Sequence, residues 1–229
     1  MSRGAFITFE GSEGCGKSTQ VLRLAARLEQ VGVRVLITRE PGGTAIGEKI
    51  RDLLQFAPES FAMTPETELL LFEASRSQLV RESIRPALEQ GTAVISDRFF
   101  DSTTVYQGVA RKLEPEIVAT LNNFAVGPDR PDLTIILDVD VATARARMLR
   151  RVRPAGVVDR MEQEPIEFYE RVCEAYRALA RGEPNRFLLM DGAQSPEQIE
   201  NEIWNAVSQR LPTLVAPEQS KIENRKSKL

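Results

Sequence analysis

The sequence predicts an α/β fold, in which a five-stranded parallel sheet carries helices on both faces. Short apolar runs rich in β-branched residues alternate along the chain with longer segments of helical periodicity. Most of the short runs are apolar nearly throughout, which is typical of strands buried on both faces. Because no internal repeat and no linker rich in Pro, Gly or Ser interrupts the chain, we expect residues 1–211 to form a single domain.

The expected elements follow from these two periodicities. The strands are expected at Phe6–Phe9, Arg34–Thr38, Ala93–Ser96, Leu133–Leu137 and Phe187–Met190. The helices are expected at Lys17–Gln30, Ile46–Leu54, Glu66–Gln90, Pro115–Ala125, Ala142–Arg150, Glu167–Arg181 and Pro196–Leu211. Residues 212–229 are polar and rich in lysine, with little apolar surface to bury. We therefore expect them to form a disordered tail, with a functional basic tail as the alternative.

Composition excludes several classes of function. Of the 229 residues, 42% are hydrophobic and 28% are charged, which is ordinary for a soluble globular domain. The net charge of −3 is spread over interspersed acids and bases, so we expect neither a nucleic-acid nor a membrane partner. No segment resembles a signal peptide, and no apolar stretch is long enough to span a bilayer.

The cysteine and histidine counts narrow the chemistry further. The two cysteines, Cys15 and Cys173, provide no disulfide framework, so we expect a reducing compartment, the cytoplasm. The chain contains no histidine, which excludes imidazole acid–base catalysis and metal sites built on histidine. Chemistry must then depend on Lys, Arg, carboxylates and the backbone, a set that suits phosphoryl transfer.

Residues 11–18, Gly-Ser-Glu-Gly-Cys-Gly-Lys-Ser, follow the first predicted strand and fit the pattern of a phosphate-binding P-loop. The glycines let the backbone coil so that its N–H groups, and the positive end of the next helix, point at phosphate oxygens. Lys17 supplies a charge for the β- and γ-phosphates, and the Ser18 hydroxyl suits Mg²⁺. The residues expected to bind the nucleotide are Gly11, Ser12, Glu13, Gly14, Cys15, Gly16, Lys17, Ser18 and Thr19. The alternative is a glycine-rich turn with an incidental lysine.

Two polar clusters follow the next strands, where an open α/β sheet places its site. After the second strand, residues 38–44 read Thr-Arg-Glu-Pro-Gly-Gly-Thr and bring Arg39 to a helix entry. After the third strand, Asp97 can hold Mg²⁺ or its water, and Arg98 can reach a transferring phosphoryl group. The alternatives are a strand-end salt bridge for Arg39 and a local ion pair for Asp97 with Arg98.

A third cluster is a basic run that we interpret as a lid at about residues 145–162. Its basic residues are Arg145, Arg147, Arg150, Arg151, Arg153 and Arg160. The Pro154-Ala155-Gly156 break inside the run indicates a mobile flap rather than one long helix. The alternative is a solvated helix face.

Taken in order, these motifs resemble those of the thymidylate kinase family, which belongs to the P-loop nucleoside monophosphate kinases. The matching segments are Phe9-Glu10-Gly11, the 38–44 segment, Leu71-Phe72-Glu73-Ala74-Ser75-Arg76, Ser96-Asp97-Arg98, Ser102-Thr103, Tyr106-Gln107-Gly108, Leu137-Asp138-Val139 and Asp159-Arg160-Met161-Glu162. The resemblance extends from Phe6 to about Leu211 and implies the P-loop NTPase fold.

For the acceptor base, the resemblance implies a pocket on the helix that carries Phe72. The Phe72 ring would stack on thymine, and Arg76, one helical turn further on, would donate to a thymine carbonyl. Thr103 and Gln107 would complete the contacts with the edge of the base.

For the sugar and phosphate, the resemblance implies that Tyr106 would exclude a ribose 2′-hydroxyl and that Glu13 would accept from the 3′-hydroxyl. Arg39 and Arg98 would grip the 5′-phosphate of dTMP, near Asp97. Because residues 12–15 of the loop carry no cation, the compensating charge would come from the lid, as in bacterial-type members of the family. The implied catalytic residues are Lys17, Arg98, Arg150 and Arg153, and the implied metal ligands are Ser18 and Asp97.

The resemblance implies ATP-dependent phosphorylation of dTMP to dTDP with Mg²⁺ as cofactor, by a homodimer assembled through helices. The closest alternative is a kinase for another nucleotide or nucleoside. A switch-type ATPase is a more distant alternative, because the chain has no Asn-Lys-x-Asp guanine signature and no acidic pair at a strand end. A non-catalytic nucleotide-binding module gives no reason to combine Asp97, Arg98 and an arginine-rich lid.

Overall fold

A parallel sheet forms the centre of the fold. The computed structural model describes residues 3–150 and 159–215. The strands are β1 Phe6–Glu10, β2 Val35–Arg39, β3 Ala93–Asp97, β4 Leu133–Asp138 and β5 Phe187–Asp191. Their order across the sheet is β2-β3-β1-β4-β5, and every neighbouring pair is parallel. The predicted α/β fold is confirmed, since all five predicted strands are present.

Helices connect consecutive strands and cover both faces of the sheet. They are α1 Lys17–Gln30, α2 Ala45–Gln55, α3 Pro65–Leu79, α4 Arg85–Glu89, α5 Phe100–Thr103, α6 Pro115–Val126, α7 Val141–Leu149, α8 Ile166–Gly182, α9 Pro196–Arg210 and α10 Pro212–Val215. Short 3₁₀ turns lie at Pro58–Ala62 and Arg160–Gln163. Among residues 3–150 and 159–215, no helix has the length and apolar character needed to cross a membrane.

The core lies in layers above and below β1. Ile7 and Phe9 pack with α1 and α9 on one face, whereas Phe6 packs with Val94 and the segment after α3 on the other. All four of these side chains are fully buried. Because apolar side chains on both of its faces are buried, β1 occupies the middle of the sheet, and its carboxyl end lies at the centre of one sheet edge.

Register then determines which loops meet at that edge. Phe9 of β1 is paired with Asp97 of β3, and Glu10 is paired with Ile136 of β4. The loop after β1 and the turn after β3 are therefore neighbours, as the sequence predicts for the P-loop and the segment containing Asp97 and Arg98.

Several boundaries differ from those predicted. All five strands end one residue later than predicted, on Glu10, Arg39, Asp97, Asp138 and Asp191, and β2 also begins one residue later, at Val35. Backbone pairing between the strands includes these polar residues, because a side chain at the end of a buried strand can point away from the sheet toward the loops. The predicted helix 66–90 passes through one π turn at Val80–Ile84, and a helical segment at 100–110 was not predicted.

The predicted boundary at residue 211 falls too early. Residues 212–215 form the short helix α10, in which Leu214 and Val215 pack against the cluster that contains α1 and α9. The polar composition of the tail as a whole obscured this local apolar pair. The remainder of the predicted tail, 216–229, lies outside the described residues.

Candidate functional site

The loop after β1 adopts a backbone that only glycine tolerates. Gly14 has a φ of 79°, and a Cβ placed on it would lie 2.4 Å from the carbonyl oxygen of Ala144. Gly16, at the N-cap of α1, has a φ of 105° and supplies no side-chain cap. The N–H groups that open α1 are therefore available to an anion, which the helix dipole also favours.

Lys17 folds back across this loop. Its Nζ donates to the carbonyl oxygens of Gly11 at 3.0 Å and Ser12 at 2.8 Å, and the residue is 7% exposed. The Ser12 hydroxyl is buried with no hydrogen-bond partner among the described residues. The loop therefore combines a buried ammonium, held by two neutral carbonyl groups, with an unpartnered hydroxyl where a phosphate would be recognised.

Oxygen donors suited to a metal ion meet where α1 begins. The Ser18 hydroxyl donates to Asp97 Oδ2 at 2.5 Å, which joins the start of α1 to the end of β3. Both are hard oxygen ligands of the kind that Mg²⁺ prefers. Within the described residues no group of three or more Cys, Asp or Glu side chains forms a cage. The donor set fits Mg²⁺, which commonly takes one or two protein oxygens and completes its shell with phosphate and water.

Arg98 lies between this loop and a neighbouring cavity. Its φ of 73° is left-handed, an uncommon conformation for a residue with a side chain, and it turns the chain sharply after β3. Nη1 donates to Gly11 O at 3.0 Å, and Nη2 donates to Glu13 Oε1 at 2.8 Å. Burial lowers the pKa of Arg98, but Tyr106 and Glu13 outweigh it and raise the pKa well above the ordinary value, so the guanidinium stays charged.

Glu10 supports Arg98 from beneath and was not predicted as a site residue. Its buried carboxylate accepts from the Phe99 backbone N–H at 2.8 Å, the Ser102 hydroxyl at 2.6 Å and the Tyr176 hydroxyl at 2.7 Å. These contacts hold the turn that follows Arg98. The only feature of the sequence that could have indicated this role is the position of Glu10, an acidic residue directly after the predicted strand Phe6–Phe9.

The cavity beside Arg98 brings together most of the residues predicted to bind dTMP. It is lined by Glu13, Pro41, Gln55, Phe72, Arg98, Ser102, Thr103, Tyr106, Gln107 and Met161. The Thr103 hydroxyl is buried with no hydrogen-bond partner among the described residues. The Tyr106 hydroxyl donates to Glu13 Oε2 at 2.7 Å, so Glu13, Arg98 and Tyr106 are connected to one another. An aromatic ring, a free hydroxyl and a guanidinium on one cavity suit a base carrying a phosphate.

Two arginines predicted at the cavity are placed elsewhere. Arg76 is 1% exposed and does not line the cavity. It donates to Glu40 from Nε at 2.8 Å and Nη2 at 2.6 Å, and to Glu73 from Nη1 at 2.5 Å. Arg39 points outward and pairs with Glu48 at 2.7 Å, as its alternative interpretation predicts. Sequence spacing could not reveal Glu40 and Glu48 as partners, whereas Glu73 lies three residues before Arg76 on the same helix.

The predicted lid is described in part. Arg150 follows the last residue of α7 and is exposed, whereas Arg153 and the Pro154-Ala155-Gly156 break lie outside the described residues. Arg147 donates to Gly192 O at 2.8 Å, close to the P-loop. Arg160 is buried and donates to Leu54 O at 3.2 Å and to Glu68, so its guanidinium faces the interior.

The buried Glu40 leads to a prediction about stability. Burial raises its pKa from 4.5 to about 7, although the adjacent Arg76 acts in the opposite direction. Between pH 4.5 and about pH 7, Glu40 stays protonated in the folded protein but loses its proton in the unfolded chain. The free energy of unfolding should therefore fall as the pH rises through this range. The contribution is at most about 3 kcal/mol. Urea unfolding of Glu40→Gln at pH 5.0 and 7.5 is expected to show a smaller pH difference than the native chain. An equal difference in both proteins would contradict this assignment.

Comparisons with known proteins agree with the geometry. A family model described as thymidylate kinase matches residues 9–203. A thymidylate kinase of Geobacter sulfurreducens is 48% identical over 211 residues, which cover 91% of this chain and 99% of that protein. One from Deinococcus radiodurans is 44% identical over 210 residues, 92% of this chain and 99% of the relative. The crystal structure of thymidylate kinase from Ehrlichia chaffeensis has a TM-score of 0.73 and 31% identity, and the match covers 90% of this chain and 99% of that one.

Proposed function

This chain belongs to the thymidylate kinase family, and from that membership we propose how its residues transfer the γ-phosphoryl group of ATP to dTMP. An oxygen of the dTMP phosphate bonds to the γ-phosphorus while the bond to the β–γ bridging oxygen breaks, which yields dTDP and ADP. The observation that carries the assignment is the position of Arg98. Its guanidinium contacts both Gly11 of the P-loop and Glu13 of the cavity that Phe72 lines.

On the ATP side, the loop from Gly11 to Thr19 would hold the phosphates through its backbone N–H groups, with Lys17 on the β- and γ-oxygens. Ser18 and Asp97 would hold Mg²⁺, which neutralises charge on the phosphate oxygens when it is bound. Arg150 and Arg153 would add charge from the lid and exclude water.

On the dTMP side, Phe72 would stack on the thymine, and Thr103 and Gln107 would contact its polar edge. Glu13 would accept from the 3′-hydroxyl, and Arg98 would hold the 5′-phosphate in line with ATP. Arg39 would bind the same phosphate if its guanidinium released Glu48. Arg76 does not line the cavity, so a bond from it to a thymine carbonyl would require its guanidinium to move away from Glu40 and Glu73.

No general base is required. The attacking oxygen belongs to a phosphate that is already ionised at neutral pH, and the chain contains no histidine. The protein's contribution is therefore to position two anions against each other and to stabilise the charge that spreads in the transition state.

An acceptor panel tests this function. ADP release from ATP and Mg²⁺ is measured with dTMP, dUMP, dCMP, AMP, GMP or no acceptor. We expect strong turnover with dTMP and weaker turnover with dUMP, since one methyl group is worth only about 1–3 kcal/mol in a pocket. Preference for another monophosphate would overturn the base-pocket assignments. Turnover that ignores the acceptor would instead favour a switch-type ATPase.

Tyr106 is predicted to select deoxyribose by occupying the space beside the sugar. Replacing the ring in Tyr106→Ala should lower the preference for dUMP over UMP by about tenfold. Tyr106→Phe keeps the ring and loses only the hydroxyl that donates to Glu13, so it should retain the preference. The measurement is the ratio of the kcat/KM values for dUMP and UMP in the native enzyme and in each variant. If both variants discriminate as the native enzyme does, Tyr106 does not act by steric exclusion.

We propose that the enzyme is a homodimer assembled through α2, α3 and α6. α3 packs against both of the other helices, and all three expose large apolar side chains to solvent. Leu70 is 57% exposed, Ile117 56% and Phe124 74%. Leu70→Glu with Phe124→Glu should convert the dimer to a monomer in light scattering, whereas Leu22→Glu on α1 should not. A native chain that is monomeric at micromolar concentration would refute the proposal.

We also infer a cytoplasmic location. Cys15 and Cys173 are both free and buried, and a disulfide at Cys15 would obstruct the phosphate loop. The net charge of −3 gives no reason for a nucleic-acid or membrane partner, so the proposed ligands are small nucleotides. Fractionation of cells that produce the chain, assayed by dTMP kinase activity, would test the location.

A further inference from the structure

A buried carboxylate, Glu68, joins α3 to two other segments of the chain next to the acceptor cavity, one with Gln107 and Arg111 and one with Arg160. Glu68 is 1% exposed. Its Oε1 accepts from Gln107 Nε2 at 2.6 Å, and its Oε2 accepts from Arg111 Nη2 at 3.1 Å and from Arg160 Nη2. The proposed mechanism uses Gln107, which lines the cavity, but gives no role to Glu68, Arg111 or Arg160.

The charge of Glu68 dictates how Gln107 is oriented. Burial raises the pKa of Glu68, but Arg111 and Gln107, with Arg160, more than compensate, and the net pKa lies below the ordinary value. An ionised carboxylate has only acceptor atoms. Gln107 must therefore turn its NH₂ group toward Glu68, and it cannot rotate to present the oxygen without placing two acceptors together.

The other end of the amide is then fixed as well. Gln107 Oε1 receives no hydrogen bond from any described residue, although the side chain borders the cavity beside Thr103. The amide oxygen is therefore the end of Gln107 that remains for a ligand in the cavity. The opposite amide orientation would offer a donor there.

We propose that Glu68 is a positioning residue for base selection, which holds Gln107 so that its oxygen faces N3 of the acceptor pyrimidine. The inference rests on the proposed function, because it requires the base to lie against Phe72 and Gln107. Thymine and uracil carry a hydrogen on N3 and donate to this oxygen. Cytosine carries a lone pair on N3, which would face a second lone pair. Glu68 thereby favours 2,4-dioxopyrimidine monophosphates over dCMP without touching the substrate.

The test compares binding of dTMP and dCMP, measured by titration calorimetry on the full chain. In Glu68→Gln, the new amide can give its oxygen to the arginines and its NH₂ to Gln107, which frees Gln107 to reverse. We expect the ratio of Kd values for dCMP and dTMP to fall about tenfold or more. Glu164→Gln is the matched control, because it removes another carboxylate from Arg111 at 2.5 Å and leaves Gln107 untouched. A Glu68→Gln variant that weakens both ligands equally overturns the proposal.

A second pair of variants separates this inference from the proposed function. Gln107→Leu should itself reduce the dTMP preference, and adding Glu68→Gln to it should change the ratio no further. If Gln107→Leu keeps the full preference, then the placement of the base at Gln107 is wrong. If Gln107→Leu loses the preference but Glu68→Gln keeps it, only the positioning role fails.

Thermal melting checks that each variant is folded before binding is compared. Should Glu68→Gln not fold, Glu68→Asp keeps the charge for Arg111 and Arg160 but withdraws the carboxylate from Gln107 by one methylene. The same fall in the dCMP to dTMP ratio is expected there. The proposal is rejected if folded Glu68→Asp keeps the native ratio of Kd values for dCMP and dTMP while Gln107→Leu changes that ratio.

Discussion

Arg98→Ala is expected to lower kcat for dTMP phosphorylation by about 10³-fold or more. The guanidinium is 16% exposed and reaches both the P-loop carbonyl of Gly11 and the carboxylate of Glu13, so it lies between the two nucleotide sites. Its charge would stabilise the transferring phosphoryl group in a site that excludes most water, where electrostatic interactions are strong. The left-handed backbone at this residue is held by the Glu10 network and positions the side chain.

Steady-state kinetics with saturating ATP and dTMP measure the effect. Arg98→Lys keeps one charge but loses the planar fork, so it should recover only part of the rate. Arg130→Ala is the matched control, because Arg130 is exposed and contacts Asn123 and the ring of Phe100 away from the cavity. A kcat for Arg98→Ala close to that of the native enzyme would remove Arg98 from the catalytic role. Thermal melting of both alanine variants excludes unfolding as the cause of a loss.

Lys17→Ala is expected to lower kcat/KM for ATP by about 10²–10³-fold. Lys17 is the only cationic residue in the loop of residues 11–18, so no neighbour within the loop replaces its charge. Its ammonium already donates to the carbonyls of Gly11 and Ser12. It needs only a small displacement to exchange them for phosphate oxygens. The loss should appear in ATP binding and in kcat together, since the same charge contacts ATP before and during transfer.

Binding of ATP and turnover are measured separately for this variant, by calorimetry and by ADP release. Lys49→Ala is the control, because Lys49 is an exposed lysine on α2. dTMP binding without ATP should be unchanged in Lys17→Ala, which would show that the acceptor cavity is intact. Native-like ATP turnover in Lys17→Ala would mean that the loop does not hold the phosphates as proposed.

Contiguous motifs and buried strands could be predicted because their physical causes are local. The strand Phe6–Glu10 places Phe6 on one face and Ile7 and Phe9 on the other, and the loop after it contains its own glycines and its own lysine. The Phe72 pocket required the family resemblance in addition, since a phenylalanine on an apolar helix is otherwise a core residue. The helical segment at residues 100–110 was missed because most of it, Thr104–Ala110, is a π-helix, which does not follow the 3.6-residue period. The helix α10 was missed because it has only four residues.

The sequence by itself determined the fold class and the phosphate loop, because these depend on composition and spacing within a few residues. Only the tertiary structure decided which charges are neutralised and which are free. Glu40 lies 36 residues from Arg76 in the chain, and Glu68 lies 92 residues from Arg160, yet each pair is buried together. A buried charge needs a partner that offsets its desolvation, and here the partner comes from a distant segment of the chain. Packing between the segments brings the two residues together, so a local sequence pattern cannot predict the pair.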